Sequence, residues 1–452
     1  MSELYIKLRM SKPGLSMFTS MEAHQSIDDM KKKPTKNSKN SATDENDDEQ
    51  KSPDKKSEYE IIFEELENSV LEFHSAAPQV LMFLRFSSDL QLHTELRRKL
   101  REEAKIIKER PRYEIYDISD DAQLFIRFIN KKHIAFRQYV NKMPGYLITS
   151  LVSQYEVFLG QIIRSIIINK PHIIDESDKP IKFSDVSGYE SIEELRCNII
   201  DKTVDSVLRE SHTQQIQWIE KSLNIKLTND LEIWSEFVEI CQRRNLLVHT
   251  GGIVSKQYIS ECTKFGIETD LEVGERLNTS RKYVIRATEV FYEFSYKMLQ
   301  VLWRKLHAAD SNAADNNLID VTFDLIHNEE YELASSILQF SNKYIKNWNN
   351  ERNKLICYIN WANAIKLGGD PKRAKSIIKS KDWTSSSLEF QACAHAVCDE
   401  FNDLYKIMIS LGSNGAIKKT DYLSWPVFIH AREVDEFHST LEEIFGDVSE
   451  LE

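Results

Sequence analysis

The sequence is poor in features that define several common protein classes. It has only 13 glycines among 452 residues, and no run of 18 apolar residues occurs. A membrane-spanning helix needs about 20 mostly apolar residues, so we expect none. The first residues lack a basic and then apolar stretch with a small-residue cleavage site, so we expect no secretory signal. Together these absences predict a cytoplasmic protein.

Cysteine and metal-ligand patterns are equally sparse. The six cysteines are scattered without a Cys-x-x-Cys pair, which predicts reduced thiols and neither a disulfide framework nor a zinc site. We expect Cys393 and Cys398 to pack in a core. The histidines show no ligand spacing with carboxylates, and no glycine-rich phosphate loop precedes a helix. We therefore predict no metal and no cofactor.

The charge balance does not favour a general nucleic-acid binder. Acidic residues outnumber basic ones by 71 to 59, for a net charge of −12. Affinity for phosphate backbones comes from clustered Lys and Arg, so any RNA contact must come from a local basic patch or from selective recognition. One basic stretch runs from Thr94 to Arg112. Because Glu and Ala are interleaved in it, it is either a solvated helix face or a track for an RNA backbone.

The N-terminal part divides by composition. Residues 1–30 contain scattered apolar positions that could form a short docking element, whereas residues 31–57 have no core-forming side chain except Ala42. Such a segment buries too little surface to offset its ordering entropy, so we predict an N-terminal arm and disordered linker over 1–57. Helical spacing of apolar residues begins at Glu58. It predicts a helical extension over 58–140.

The next stretch, 141–307, predicts a helical bundle. Pro144–Ile168 is the most apolar segment and is expected to be a helix buried on most of its circumference. Further helices are predicted at about 190–223, 230–249 and 280–307. Asn229 or Asp230 is the expected N-cap of the helix at 230–249, and glycines follow its end.

Shorter helices at roughly even spacing are predicted over 318–446. Turns at 327–331, 367–371 and 398–402 each precede a helix start. This part resembles a short helical-hairpin array of the tetratricopeptide (TPR) kind, although no unit carries the full consensus. The whole chain is therefore predicted to be all-α.

Arg244 and His249 form an Arg-x4-His pattern, which by itself is weak. Similar spacings occur at Arg127 to His133 and at Arg432 to His438. Context favours the first pair, since Asn245 follows Arg244, and Gly251 and Gly252 follow His249 to end the helix. Five helical steps place Arg244 about 140° from His249, whereas Asn245 shares the histidine's face. Arg244 must then reach along the helix, or two copies of the motif must meet across a dimer axis.

A second feature is Glu156, an acid inside the apolar helix predicted at 144–168. A carboxylate there is costly unless it is paired, and an arginine of the helix at 230–249 is the expected partner. An apolar helix with an internal acid, a long middle, and then Arg-Arg-Asn-x3-His followed by glycine and Tyr258 resembles the HEPN superfamily. The resemblance covers about 140–305 and is most specific at 230–258. It is strongest to prokaryotic antiphage-defence and toxin members.

The resemblance implies a dimeric helical bundle that cleaves RNA without metal, leaving a 2′,3′-cyclic phosphate. His249 would act as acid and base, Arg244 would stabilise the phosphate, and Asn245 would bind the phosphate or orient the imidazole. Glu156 would support Arg244 or Arg243. We expect a tRNA or mRNA substrate and a homodimer or higher homo-oligomer. A protein inhibitor, sensor or phage trigger would bind the C-terminal helices. The alternative is a catalytically inactive HEPN/TPR-like scaffold that binds protein partners.

Overall fold

The computed structural model describes residues 56–103, 105–110, 113–117, 120–175, 186 and 188–446. The predicted arm and linker at 1–57 therefore lie outside the described residues, except for their last two positions. Helices dominate what is described, as the sequence predicts. In the first part they are α1 (Glu58–Glu103), α2 (Asp120–Asn169), α3 (His172–Asp175), α4 (Ile192–Leu208), α5 (His212–Leu223), α6 (Trp234–His249), α7 (Lys256–Lys264) and α8 (Arg281–Leu306).

One short pair of strands interrupts the helices. Strands β1 (Lys105–Arg110) and β2 (Tyr113–Asp117) pair in antiparallel fashion between α1 and α2. The basic segment predicted as helix over Thr94–Arg112 therefore leaves the helix at Glu103. The physical reason is local: the first strand contains two isoleucines, and the second contains two tyrosines and an isoleucine. These residue types favour extended backbone, and a proline between the strands cannot continue a helix.

Helices α1 and α2 are the longest elements and pack against each other. At 1.5 Å per residue, 46 and 50 residues correspond to about 69 and 75 Å. Among the side chains that the structure describes, the buried ones concentrate in the first half of α1 and the second half of α2. Between those halves and the hairpin, several large apolar side chains are exposed: Val80, Met82, Phe83, Phe86, Phe128, Ile134, Phe136, Tyr139 and Tyr146.

By length and composition alone, the segment Arg127–Asn169 of α2 could cross a membrane. However, 56% of its most apolar stretch is buried inside the protein. Ile148, Leu159, Ile162 and Ile166 are fully covered by neighbouring helices. The helix predicted to be buried on most of its circumference is confirmed, and burial in a protein core accounts for its apolar composition.

A single core joins most of these helices. It includes α1, α2, α4 to α6 and α8, and it continues into the C-terminal helices as far as Ala364. Residues on both sides of the predicted gap between 307 and 318 thus share one core, and α2 runs through the boundary predicted at residue 140. Helix Ser311–His327 fills most of that gap. The domain limits drawn from the sequence stay predictions.

The C-terminal part consists of short helices joined by tight turns. They are α9 (Ser311–His327), α10 (Tyr331–Tyr344), α11 (Glu351–Leu367), α12 (Pro371–Lys379), α13 (Leu388–Val397), α14 (Phe401–Leu411), α15 (Lys419–Ser424) and α16 (Asp435–Phe445). Successive helices pack in pairs, α11 with α12 and α13 with α14. A second core extends from Leu355 to Leu441, and Cys393 and Cys398 are buried in it as predicted.

Candidate functional site

Helix α6 carries the Arg-x4-His pattern, and its start differs from the prediction. It begins at Trp234, and its N-cap is Ile233, which makes no side-chain capping bond. Neither Asn229 nor Asp230 caps it, because the chain is still turning there: Asp230 has φ 57°. The end is as predicted, since the helix stops at His249 and both following glycines adopt positive φ.

Glu156 on α2 contacts Arg244 on α6, which confirms the pairing predicted from the sequence. The Arg244 Nη2 donates to Glu156 Oε1. His212, the first residue of α5, reaches the same oxygen with its Nε2 at 3.3 Å. The His212 side chain is almost fully buried, and that of Arg244 is 17% exposed. One carboxylate therefore joins three helices at the inner face of α6.

The electrostatics of Glu156 follow from these partners. Burial acts to raise its pKa, but the close approach of the His212 imidazole and the positive charge of Arg244 outweigh burial and lower the pKa below its ordinary value. Glu156 is therefore ionised at neutral pH. A fixed negative charge orients the Arg244 guanidinium, which is the positioning that a phosphate-binding arginine needs.

Asn245 and His249 occupy the outer part of α6. Arg244 Nη1 donates to Asn245 Oδ1 at 3.2 Å, so the amide also orients the guanidinium. His249 is exposed at the last helical position. Within one chain, Arg244 is thus directed inward toward α2 while His249 faces solvent.

Arg243 and Tyr258, the other predicted supporting residues, belong to a different cluster. Arg243 Nε and the Tyr258 hydroxyl donate to the buried Glu239, at 2.8 and 2.6 Å. The Tyr283 hydroxyl donates to the second oxygen, and the Arg243 guanidinium lies 4.0 Å from the Tyr283 ring centre. Arg243 therefore pairs with Glu239 and not with Glu156. This cluster fastens α7 and the start of α8 to α6.

Burial and the Glu239 charge raise the pKa of both tyrosines, which keeps their hydroxyls protonated as donors. Burial acts to lower the pKa of Arg243, but Tyr283 and Glu239 outweigh it and raise the pKa. The cluster therefore consists of the Arg243–Glu239 ion pair and two neutral tyrosine hydroxyls that donate to Glu239. It can hold α6 in place, but its groups are committed to one another.

Arg432 and His438, which have a spacing similar to that of Arg244 and His249, make contacts that stabilise the fold. Arg432 donates to the backbone oxygens of Tyr422 and Trp425 at 3.0 and 2.9 Å. His438 Nε2 lies 2.8 Å from the Arg432 carbonyl oxygen. Both side chains thus hold the turns before α16. The contacts account for this pair without any catalytic role.

Two residues of the site were not identified from the sequence, although a signal existed for each. His212 lies on the buried stripe of α5 with Ile216, Ile219 and Leu223, a helical spacing that marks it as buried. Glu239 lies inside the apolar run Phe-Val-Glu-Ile-Cys of α6, just as Glu156 interrupts α2. An acid or imidazole on an apolar stripe implies a polar partner.

Among the described residues, no group of three His, Cys, Asp or Glu side chains could hold a metal ion. The arrangement offers an oriented guanidinium, an amide and an exposed imidazole at a single helix end. Such groups can bind a phosphate and transfer protons. No protein-family model, no curated protein and no solved structure matches this chain.

Proposed function

We propose that this protein is a metal-independent endoribonuclease of the HEPN type, acting in the cytoplasm in antiphage defence or as a toxin. One observation carries the proposal: Glu156 anchors Arg244 five residues before His249, which is exposed at the glycine-terminated end of α6. Burying a carboxylate in the most apolar helix lowers the stability of the fold. Its function would be to orient an arginine near an exposed histidine.

The chemistry needs three events. A ribose 2′-hydroxyl attacks the adjacent phosphorus and loses its proton to a base, which His249 supplies. The phosphorus–5′-oxygen bond breaks, and the leaving oxygen takes a proton from a protonated His249 imidazole, which thereby serves as acid. Arg244 stabilises the charge on the phosphorane-like transition state with its planar donor groups. The products are a 2′,3′-cyclic phosphate and a 5′-hydroxyl, and no metal enters the balance.

The acting unit is proposed to be a homodimer. Arg244 faces inward on α6, whereas His249 is exposed about 140° around the same helix. A second copy whose α6 faces the first brings an arginine and a histidine to one phosphate from different chains. The exposed position of His249 at the helix end is compatible with such a two-fold contact.

The C-terminal hairpins are proposed to be a TPR-like array that binds a regulator. A growth-arresting nuclease must be restrained until it is triggered, and stacked helical hairpins provide surfaces for a protein inhibitor, a sensor or a phage component. The substrate is proposed to be tRNA or mRNA, because cutting either one stops translation.

The test is cleavage of total RNA in EDTA by wild type, Arg244→Ala and His249→Ala, with mapping of the RNA ends. We expect cyclic-phosphate ends from wild type and at least a hundredfold loss in both variants. His327→Ala is the matched control, since His327 is also exposed at the last position of a helix. Equal activity in His249→Ala and wild type would exclude the proposed role.

The alternative is a catalytically inactive scaffold that binds protein partners. It is favoured by the fact that both terminal nitrogens of Arg244 are already engaged, by Glu156 and Asn245. A purely structural Arg244 predicts that Arg244→Ala lowers stability while wild type leaves RNA intact. Growth arrest on expression that disappears in a folded His249→Ala protein would contradict the scaffold.

A further inference from the structure

A large groove opens beside the end of α6. Its volume is about 2070 Å³. Pockets for drug-sized ligands occupy about 300–1,000 Å³, so this groove suits a segment of a polymer. It is lined by Leu81, Met82, Arg85 and Phe86 of α1, by residues of α2 between Gln138 and Ser150, by Leu247, Val248 and Gly251 at the end of α6, and by residues 276–281, which lead into α8. Val248 and Gly251, on either side of His249, belong to the lining.

The charge of the groove is opposite to that of the chain. Arg85, Lys142, Arg276 and Arg281 line it, and none of the lining residues that the structure describes is Asp or Glu. The whole chain carries a net charge of −12. Four cations without a carboxylate between them therefore make a local positive patch in an acidic protein. Such a patch attracts a polyanion, and the concave wall strengthens the field.

The groove wall also presents aromatic rings. Phe86 is 62% exposed and Tyr146 is 49% exposed, and both line the groove. Exposed rings between cations are typical of surfaces that bind single-stranded nucleic acid, where bases stack on the rings and phosphates contact the cations. A duplex keeps its bases stacked inside and could not use these rings. A peptide partner would not require four cations.

The basic loop at 276–281 is held in place before any ligand arrives. Leu277 N donates to Gly252 O at 2.8 Å, and Arg276 Nη1 donates to Gly251 O at 2.7 Å. From the other side, Arg243 Nη1 donates to Asn278 O at 3.1 Å. The loop is therefore fastened to the end of α6. Less conformational entropy is lost when such a pre-ordered wall binds a ligand.

From these observations we infer that the groove between α1, α2 and the end of α6 binds a single-stranded RNA segment and delivers it to His249. The inference rests on the proposed function for the chemistry at His249, but the binding itself does not. Phosphates contact Arg85, Lys142 and Arg281, and bases stack on Phe86 and Tyr146. The RNA is thereby led along α2 toward the residues that flank the histidine.

Binding is measured by fluorescence anisotropy with a labelled unstructured 20-nucleotide RNA in EDTA, on the His249→Ala protein so that the probe stays intact. Arg85→Ala/Arg281→Ala is expected to weaken binding at least about tenfold and to reduce the salt slope by about 1.4, or roughly 0.7 per phosphate contact. Phe86→Ala is expected to weaken it about fivefold or more. Duplex RNA should bind more weakly than the single strand.

The matched control is Arg196→Ala/Lys372→Ala, which removes two exposed cations outside the groove. It should bind RNA within about twofold of the parent. Unfolding midpoints show whether all variants are folded. Cross-links from 4-thiouridine RNA, mapped to the peptides that contain Phe86 and Tyr146, show whether RNA occupies the groove itself. Equal loss in control and groove variants, tighter duplex binding, or no RNA binding at all would overturn the inference.

The two proposals fail differently. If the single strand binds in the groove but wild type never cleaves it, the groove inference stands and the nuclease proposal fails. If wild type cleaves RNA and the groove variants bind and cleave like the parent, the nuclease proposal stands and the groove inference fails. A single-stranded DNA of the same sequence, measured in parallel, reports whether the 2′-hydroxyl contributes to recognition.

Discussion

The Arg244 guanidinium on α6 is bound to the Glu156 carboxylate on α2, across 88 positions of sequence. His212 on α5 reaches the same carboxylate. Removing Glu156 would leave a mostly buried arginine without its counter-ion. The pair therefore connects the stability of the bundle to the orientation of the proposed phosphate-binding group.

The first prediction concerns Glu156→Gln. The amide keeps the shape but removes the charge, so we expect the free energy of unfolding to fall by about 1–3 kcal/mol, since hydrogen bonds to charged groups are worth more than neutral ones. Urea denaturation measures it. Asp201→Asn is the control, because its pair with Arg164 is about half exposed and should contribute about 0–1 kcal/mol. Equal losses in both variants would show that Glu156 has no special role.

The contribution of the Glu156 charge to the free energy of unfolding should also depend on pH. The pKa of Glu156 lies below its ordinary value of 4.5, so folding favours the ionised form. A depressed pKa contributes stability that is present above 4.5 and is lost as the pH falls through the folded-state value. The difference in unfolding free energy between wild type and Glu156→Gln should therefore shrink below about pH 4.5.

This series is measured by urea denaturation at stepped pH. It is repeated in a His212→Gln background, because His212 faces the same carboxylate. A difference that grows on acidification would contradict the assignment.

Glu239 should matter more for stability than for chemistry. Its side chain is 11% exposed and neutralises Arg243, which is 12% exposed. We expect Glu239→Gln to lower the free energy of unfolding by about 3 kcal/mol, because it strands a buried cation. Tyr283→Phe removes only one neutral donor and should cost about 1 kcal/mol. Thermal and urea unfolding distinguish the two, and a larger effect of the tyrosine variant would be the contrary result.

Gly145 is required by the crossing of α2 and α6. A Cβ there would lie 3.0 Å from Leu247 Cδ2, closer than ordinary packing allows. We expect Gly145→Val to destabilise the protein by about 1–3 kcal/mol through overpacking. In a Leu247→Ala background the clash is absent, so the same substitution should cost at least about 1 kcal/mol less. Additive effects in this double-mutant cycle would show that the two residues do not limit each other.

A mixed dimer tests whether the nuclease site combines two chains. Arg244→Ala and His249→Ala are each expected to be inactive, but co-expression forms dimers in which one intact pair survives. With random pairing, about half of the dimers are mixed, and each mixed dimer has one intact site of two. Activity should therefore return to about a quarter of wild type. The control is co-expression of two differently tagged copies of Arg244→Ala, which cannot form an intact site. No recovery, despite proven mixed dimers, would place both residues of a site in one chain.

Much of the architecture could be predicted from hydrophobic periodicity. The pattern at 280–307 predicts the helix observed at Arg281–Leu306, and Pro144–Ile168 was expected to be buried. The hairpin between α1 and α2 was missed because the basic composition of its first strand suggested a solvated helix. The start of α6 was misplaced because Asp230, a good cap by composition, adopts a left-handed turn instead.

The sequence by itself determined that the chain is mostly helical, that Glu156 needs a basic partner, and that the helix carrying His249 ends at glycines. These follow from side-chain spacing and backbone freedom, which act locally. Only the tertiary structure decided that Arg244 and not Arg243 pairs with Glu156, that His212 joins them, and that a groove lined by four basic side chains lies beside the end of α6. Those facts depend on which helix faces cross, and contacts between residues far apart in sequence set them.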